Sequence, residues 1–339
     1  MHRIPLAIST RGSRIDALHY GSIAVAAASG GVLFSVNDPH FPTYLRSSIK
    51  MLQALPVVVS GGADLFQFTP AQVAICVASH VGARYHVEVV EGMLRKMGLD
   101  ERALQCGAQD PDDPTERRRL LCSDTPSSQI HNNCSGKHAG MLAACRARGW
   151  PIEDYAAVDH PLQEWILDLV SEYSGIGREL IGIGIDGCSL PAFYMPISGA
   201  ATAIARFVER GRNGGGAEER ILTSVAAHPE MLNDSGGFDS ELVRVTRGRI
   251  LAKRGAMAMF LMGMISERHG PIGIAIKLED GNMTPVPLVA MKVLRDLELL
   301  TAAESVALDD FSALPLRNWR GLHVGHVAAN FSLALPVSY

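Results

Sequence analysis

The sequence predicts an α+β or mixed α/β fold, and three observations carry that reading. Two apolar segments near the start, Ile23–Ala28 and Val32–Val36, flank Ser29-Gly30-Gly31, a turn sequence that tolerates positive φ. A long middle stretch carries helical spacing and capping signals, and strand-like apolar runs return towards the end. A hairpin, many helices and then more strands is not the strict βαβ alternation that would build a parallel sheet.

Each element has its own signal. After the hairpin, Asn37-Asp38-Pro39 and Phe41-Pro42 break the chain. From Ser47, the spacing of Ile49, Leu52 and Leu55 predicts a helix that Pro56 and Ser60-Gly61-Gly62 should stop. Thr69-Pro70 is an N-cap followed by proline at the first helical position, leading through Val73 and Val77 to Ser79. His86–Met97 reads as an amphipathic helix ended by Gly98, and Gly136–Arg148 as a helix with Met141, Leu142 and Cys145 inward. Leu162–Tyr173 is a further helix. Leu180–Ile185 reads as a buried strand delivering Asp186 to a turn, and Arg212–Gly216 as a Gly-rich linker or loop tip. Arg249–Leu251 is expected to be a short strand and Gly255–Arg268 a helix. Ile272–Lys277 is a strand and Pro285–Val293 a helix-like segment, separated by the turn Asp280-Gly281-Asn282. No internal repeat or low-complexity tract is present.

Composition bounds the function. The 339 residues are 47% hydrophobic and 19% charged, enough to bury a large core in one compact unit or two packed lobes. A net charge of −4 argues against a surface that holds nucleic acid by its phosphates. The basic run Arg117-Arg118-Arg119 follows Asp110, Asp112, Asp113 and Glu116 and reads as a locally balanced, solvated loop. Met1–Gly12 lacks the apolar core of a secretory signal, and Ser22–Val36 is too short to span a bilayer and is cut by Gly30-Gly31. Cysteines at 76, 106, 122, 134, 145 and 188 have no regular spacing and are expected to be reduced thiols, which places the chain in the cytoplasm.

Two groups of residues could do chemistry. Ser47-Ser48-Ile49-Lys50 is a Ser-x-x-Lys that a helix would set on one face. A lysine there becomes a base only if desolvation or a second cation lowers its pKa from about 10.4. With 25 serines and 6 lysines, about half of one such match is expected by chance. Chain order adds weight. Lys253-Arg254-Gly255 is a Lys-x-Gly near a late strand, as in serine hydrolases that place Ser-x-x-Lys first and Lys-Thr-Gly late. Ser79 could take the middle place in proton transfer, although Ser-Asp-Asn is absent; the bland alternative makes Arg249, Lys253 and Arg254 a basic strand edge. The second group is His131-Asn132-Asn133-Cys134-Ser135-Gly136-Lys137-His138 with Asp186-Gly187-Cys188. Thiolates and a nitrogen suit zinc, and residue type alone selects Cys134, Cys188 and His138, with water or Asp186 in fourth place. The alternative is that these thiols are small buried hydrophobes. Ser135-Gly136-Lys137 lacks the rest of a phosphate-binding loop.

These motifs together resemble the rhizobial-type asparaginase II family. Pro42, Arg46-Ser47-Ser48-Ile49-Lys50, Ala78-Ser79-His80, the segment His131 to Met141 and Asp186-Gly187-Cys188 appear in family order. Ala227-His228-Pro229-Glu230, Ala252-Lys253-Arg254-Gly255-Ala256 and Lys277-Leu278-Glu279-Asp280-Gly281 follow, so that the resemblance runs from about residue 13 to about residue 330. It implies a β-lactamase-like/glutaminase-like serine hydrolase fold, an antiparallel sheet flanked by helices, as a single domain over 1–339 with a mixed α/β lobe and a helical part. It also implies a homodimer that hydrolyses L-asparagine to L-aspartate and ammonia, with no nucleic-acid or membrane partner.

By the same resemblance, Ser47 with Lys50 and Ser79 with Lys253 are the two catalytic pairs, Ser47 being the nucleophile. Zinc ligation falls on Cys134, Lys137 and Cys188, replacing His138 in the set chosen from residue type. The zinc is expected to position rather than to act as electrophile. Asp186 is expected to hold the substrate α-ammonium, and Arg46 and His138 to contact substrate. Three places depart from the family pattern: Ala83 follows Gly82 where a Glu is usual, Ala256-Met257-Ala258 replaces Ala-Glu-Gly, and Asn233–Asp239 differs from a Gly-Arg-Phe segment. The rival readings are a glutaminase or other serine amidase, since one methylene is worth only ~1–3 kcal/mol in a pocket, and a weak or non-catalytic zinc- or amino-acid-binding homologue.

Overall fold

The computed structural model describes residues 3–333, and the domain expected over 1–339 extends past them at both ends. In chain order the strands are β1 (Pro5–Arg11), β2 (Arg14–Ala27), β3 (Val32–Val36), β4 (Pro42–Tyr44), β5 (Gly182–Ile185), β6 (Pro191–Pro196), β7 (Leu251–Gly255), β8 (Met259–Ser266), β9 (Gly270–Leu278), β10 (Leu314–Arg317) and β11 (His323–Ala329). With 44% helix and 22% strand, and antiparallel pairing in its sheet, the protein is α+β. Two compact units share the chain, one from 1–48, 195–209 and 249–339, the other from 49–194 and 210–248. The chain passes from the first to the second inside the 3-10 turn Arg46–Ile49.

The first unit is built on one antiparallel sheet in the order β10-β11-β1-β2-β9-β8-β7, with β3 also on β2. The expected hairpin is present, Ile23 opposite Val36 and Val25 opposite Phe34. Its first strand continues back to Arg14 and pairs there with β1. Ile23, Ala24, Val25 and Ala26 are all fully buried, so this half of β2 is covered on both faces. The helix Ile197–Arg212 lies on one of them: a Cβ on Gly273 would stand 1.9 Å from the Ala201 carbonyl oxygen, and one on Gly263 2.8 Å from Ile204. Glycine at these strand positions is what lets a helix backbone settle directly on the sheet. The helix Val286–Asp296 packs on β1, β9 and β11.

One element expected in this unit is of the wrong type. Gly255–Arg268 is not a helix; it is the end of β7, a turn at Met257-Ala258 and strand β8. Met259 to Met264 is apolar throughout and buried, and a run covered on both faces shows no period by which strand and helix differ. Lys253 consequently lies within a strand, opposite Leu261, rather than after one.

The second unit is helical around Ser135–Arg148, whose residues Ser135 to Cys145 are all buried. That helix packs against Lys50–Val59 and Arg84–Lys96, the second of which ends at Gly98 with positive φ. A Cβ on Gly136 would stand 2.5 Å from the Ile75 carbonyl oxygen and one on Gly140 2.6 Å from Cys76 Sγ, so both faces need glycine for close approach. Pro70–Ala74 opens with the expected Thr69 cap, completed as a capping box by Gln72. Pro56 does not stop its helix, which continues to Val59: eight of its ten residues are buried, and packing outweighs one lost ladder bond.

Two further segments differ from expectation. Arg117–Arg119 lies in the helix Pro114–Cys122 rather than in a loop, capped by Asp113, with Arg119 paired to Glu116. Strand β5 is exposed, not buried; Ile183 and Ile185 are 39% and 64% exposed, and the strand pairs through Gly182 opposite Tyr194. It does deliver Asp186 to a turn, in which Ser189 N–H donates to the Asp186 carbonyl. Among the described residues no helix is long and apolar enough to cross a membrane.

Candidate active site

The second unit gathers Lys50, Ser79, Cys134, Lys137 and Cys188. Lys50 opens the helix Lys50–Val59 and is fully buried. Its ammonium donates to the Ala78 carbonyl, to Ser79 Oγ at 3.0 Å and to Cys134 Sγ at 3.1 Å, which uses all three donors. Burial pushes its pKa down and neighbouring Lys137 adds to that, while the Cys134 charge pulls the other way. Ser79 lies two residues beyond the 3-10 helix Ile75–Val77 in extended chain, pinned by its N–H to the Leu232 carbonyl.

Cys134 caps the helix Ser135–Arg148 and Lys137 stands one turn along it. Cys188 arrives from the β5–β6 hairpin, with Lys137 Nζ 3.3 Å from its sulfur. The two thiols share a hydrogen bond. It holds Cys134 well below the usual thiol range, helped by Lys137 and Lys50, whereas Cys188 is raised by the same bond and by burial. Each sulfur has one cation against it, Lys50 Nζ at 3.1 Å from Cys134 and Lys137 Nζ at 3.3 Å from Cys188. Burial lowers Lys137, but Cys134, Cys188 and Asp186 together outweigh it and raise its pKa.

Two sulfurs and one amine converging in a buried place suit a zinc ion. Tetrahedral zinc with Zn–S of about 2.3 Å and Zn–N of about 2.0–2.1 Å separates its sulfur and nitrogen donors by roughly 3.6 Å, near the 3.3 Å between Lys137 and Cys188. Among the described residues no three His, Cys, Asp or Glu side chains converge on a metal position, since the third donor of this set is a lysine. His138 is not in the convergent set. It is fully buried, with Nδ1 2.6 Å from the Tyr155 hydroxyl, which also accepts the Gln105 N–H. Burial, then Lys137 and Lys50, keep its ring neutral. Asp186 is half-buried and accepts the Gly187 N–H at 2.7 Å, and its charge reaches Lys137.

The first unit holds Arg46, Ser47 and Lys253. Ser47 is half-buried in the 3-10 turn Arg46–Ile49 rather than in an α-helix, and Arg46 before it has φ of 52°, a left-handed conformation that strains a non-glycine residue. Ser48 Oγ closes the turn on the Leu45 carbonyl at 2.6 Å. Lys253 is fully buried and donates to the Arg254 carbonyl. A Cβ on Gly255 would stand 2.8 Å from the Leu45 oxygen and 3.0 Å from the Ser48 nitrogen. Bare glycine there is what brings the end of β7, with Lys253, against the Ser47 turn.

A family model described as L-asparaginase II matches residues 7–329 of the chain. The chain belongs to the L-asparaginase II family. Its membership supports an amidohydrolase acting on a small molecule. The comparison with curated proteins gives no match.

Against this family background, sequence reasoning missed several groups. Lys277 donates to the Met257 carbonyl, and its pKa is lowered by burial and by Arg46 despite Asp280. Its signal was available: it is one of only 6 lysines and lies in a family signature. Ser135 likewise lies in a family signature, the segment from His131 to Met141, whereas Tyr155 gave no signal, since a tyrosine hydroxyl becomes a partner only once the fold sets it against a ring nitrogen. Met257 and Ala258 both have positive φ, at 59° and 57°, where the family pattern would place Glu and Gly.

Proposed function

We propose that this chain is an L-asparagine amidohydrolase that releases L-aspartate and ammonia through a Ser47 acyl-enzyme, on a β-lactamase-like/glutaminase-like fold. The observation that carries the reading is Lys50: a buried lysine with a lowered pKa, in hydrogen-bond contact with a serine that belongs to the same family signature. A depressed pKa lowers the cost of reaching the neutral amine, whose lone pair is the base that serine chemistry requires.

In this scheme neutral Lys50 takes the Ser47 hydroxyl proton, and Oγ attacks the side-chain amide carbon of asparagine. Backbone N–H groups stabilise the oxyanion, each worth about 3–4 kcal/mol when such a donor is lost. Lys50 touches Ser79 Oγ, so the proton can pass through Ser79, with Lys253 as the fourth member of the proposed set, to the departing nitrogen, while burial and neighbouring Lys137 keep Lys50 from holding it. Ammonia leaves, a β-aspartyl ester on Ser47 remains, and water hydrolyses it to aspartate and free serine. Asp186 accepts the substrate α-ammonium, and Arg46 and His138 complete its contacts.

Cys134, Lys137 and Cys188 would hold zinc, Lys137 as the neutral amine. The bound cation supplies fixed positive charge that orients Asp186 and the α-amino end of the substrate. The working form in this reading is a cytoplasmic homodimer.

Ammonia release from L-asparagine beside L-glutamine, for the wild type and Ser47→Ala, tests the proposal. Release from asparagine that vanishes in the variant is the expected result. Equal turnover of both amides makes the chain a general amidase, and near-wild-type activity in Ser47→Ala removes Ser47 as nucleophile. A second reading, asparagine binding without turnover, is favoured by Ala83 and Met257 standing where the family usually has acids; tight binding with no ammonia from either amide would establish it.

A further inference from the structure

His80 follows Ser79, is 1% exposed, and stacks on the ring of His86 with centroids 4.9 Å apart. Its hydrogen bonds permit one proton arrangement. Gly82 N–H points at His80 Nδ1 at 3.1 Å, and a backbone N–H can only donate, so Nδ1 carries no proton. His80 Nε2 is 2.9 Å from Ser135 Oγ. Ser135 Oγ donates at 2.9 Å to the Ile130 carbonyl, which can only accept, so the serine hydrogen is committed there. Ser135 must then accept from Nε2–H. The chain runs one way: Gly82 N–H to Nδ1, Nε2–H to Ser135, Ser135 O–H to Ile130.

Both ends of this chain adjoin the candidate site. His80 sits beside Ser79, and Ser135 beside Cys134 in the turn that leads to Lys137. The His80 N–H also bonds the Asn133 carbonyl at 3.2 Å. Lys50 Nζ lies between the two sides, 3.0 Å from Ser79 Oγ and 3.1 Å from Cys134 Sγ, so its two contacts hold only while the Ser79 and Cys134 segments keep their spacing. We propose that His80 is a positioning residue, a neutral Nε2–H brace that fixes Ser79 against the Cys134–Lys137 turn through Ser135. The proposal rests on the reading of Ser79 and Lys50 as part of the proton path.

The two ring nitrogens can be tested apart. In His80→Gln the amide nitrogen can stand where Nε2 does and still donate to Ser135; in His80→Asn the amide oxygen replaces Nδ1 and the donor to Ser135 is gone. The holoenzyme variants His80→Gln, His80→Asn and Ser135→Ala are compared for kcat and KM with L-asparagine, for Tm, and for zinc affinity by competition with a chromophoric chelator. His80→Gln is expected to keep kcat within about 3-fold, while His80→Asn and Ser135→Ala lose ~10–100-fold in kcat at nearly constant KM, the scale of a misplaced catalytic group. Zinc affinity should fall about 10-fold in the same two variants and not in His80→Gln. In the wild type, 15N-correlated imidazole spectra should show His80 as the Nε2–H tautomer. An Nδ1–H tautomer, equal losses in the Gln and Asn variants, or wild-type kcat in Ser135→Ala would each overturn the brace. Should the wild type release no ammonia while the tautomer and the zinc ordering hold, the amidohydrolase reading has failed and the brace stands.

Discussion

Gly255→Ala is a sharp test of how the first unit seats the Ser47 turn against β7. The added methyl would stand 2.8 Å from the Leu45 oxygen and 3.0 Å from the Ser48 nitrogen, both main-chain atoms with no rotamer to escape into. Carbon needs about 3.5 Å to such neighbours, so β7 and the Ser47 turn must part by roughly 0.5 Å. Overpacking of that kind costs ~1–3 kcal/mol, which for a chain of this size lowers Tm by about 2–4 °C per kcal/mol. Under the proposed mechanism the larger effect falls on turnover, because Lys253 lies two residues from the wedge and Ser47 beside the wedged turn; displacement of a catalytic group by this much would reduce kcat by roughly 10–100-fold. Gly31→Ala is the control, since nothing lies within 4 Å of a Cβ there. The assay is ammonia release at saturating asparagine with thermal unfolding on the same samples. Wild-type kcat and Tm in Gly255→Ala, matching the control, would refute the close approach.

Three further outcomes are expected. Ala258→Gly should raise Tm, because φ of 57° strains a side-chain-bearing residue by about 1 kcal/mol, and an unchanged or lower Tm counts against a left-handed turn there. His86 is buried among Glu230, Asp113 and Asp234, beside Tyr85 and His80, and its pKa is pushed down to about 4, by burial against the pull of Glu230. Its unfolded value is near 6.5, so the fold favours the neutral ring; that stability is complete above about pH 6.5 and drains away as pH falls towards 4. Urea unfolding should therefore show the wild type losing about 2 kcal/mol more than His86→Gln between pH 7 and pH 5, and parallel losses would mean that His86 titrates normally. Removing zinc with a chelator should raise KM for asparagine and leave kcat at saturation largely intact, and loss of kcat at every concentration would give the metal a role in bond breaking.

Sequence alone determined the α+β class, the first hairpin, most of the helices and the family, because turn chemistry, capping and helical spacing are local properties of the chain. Thr69-Pro70 announces its helix by residue type, and Gly98 ends the next by its freedom to take positive φ. Ser47, Lys50, Cys134, Lys137 and Cys188 stood out from motif order, and the second unit brings the last four close to one another. Tertiary structure alone decided the rest. Met259–Ser266 is a strand because β7 and β9 cover it on both sides, which its uniform apolar run cannot signal. Strand β5 is exposed despite its β-branched residues, since exposure depends on what packs against a strand. Which lysine donates to which serine, which thiol is pushed down and which up, and why His80 must point Nε2 at Ser135 are relations between residues 29 to 84 positions apart. A hydrogen bond or a charge acts over a few ångströms of space, and only the folded chain sets those distances.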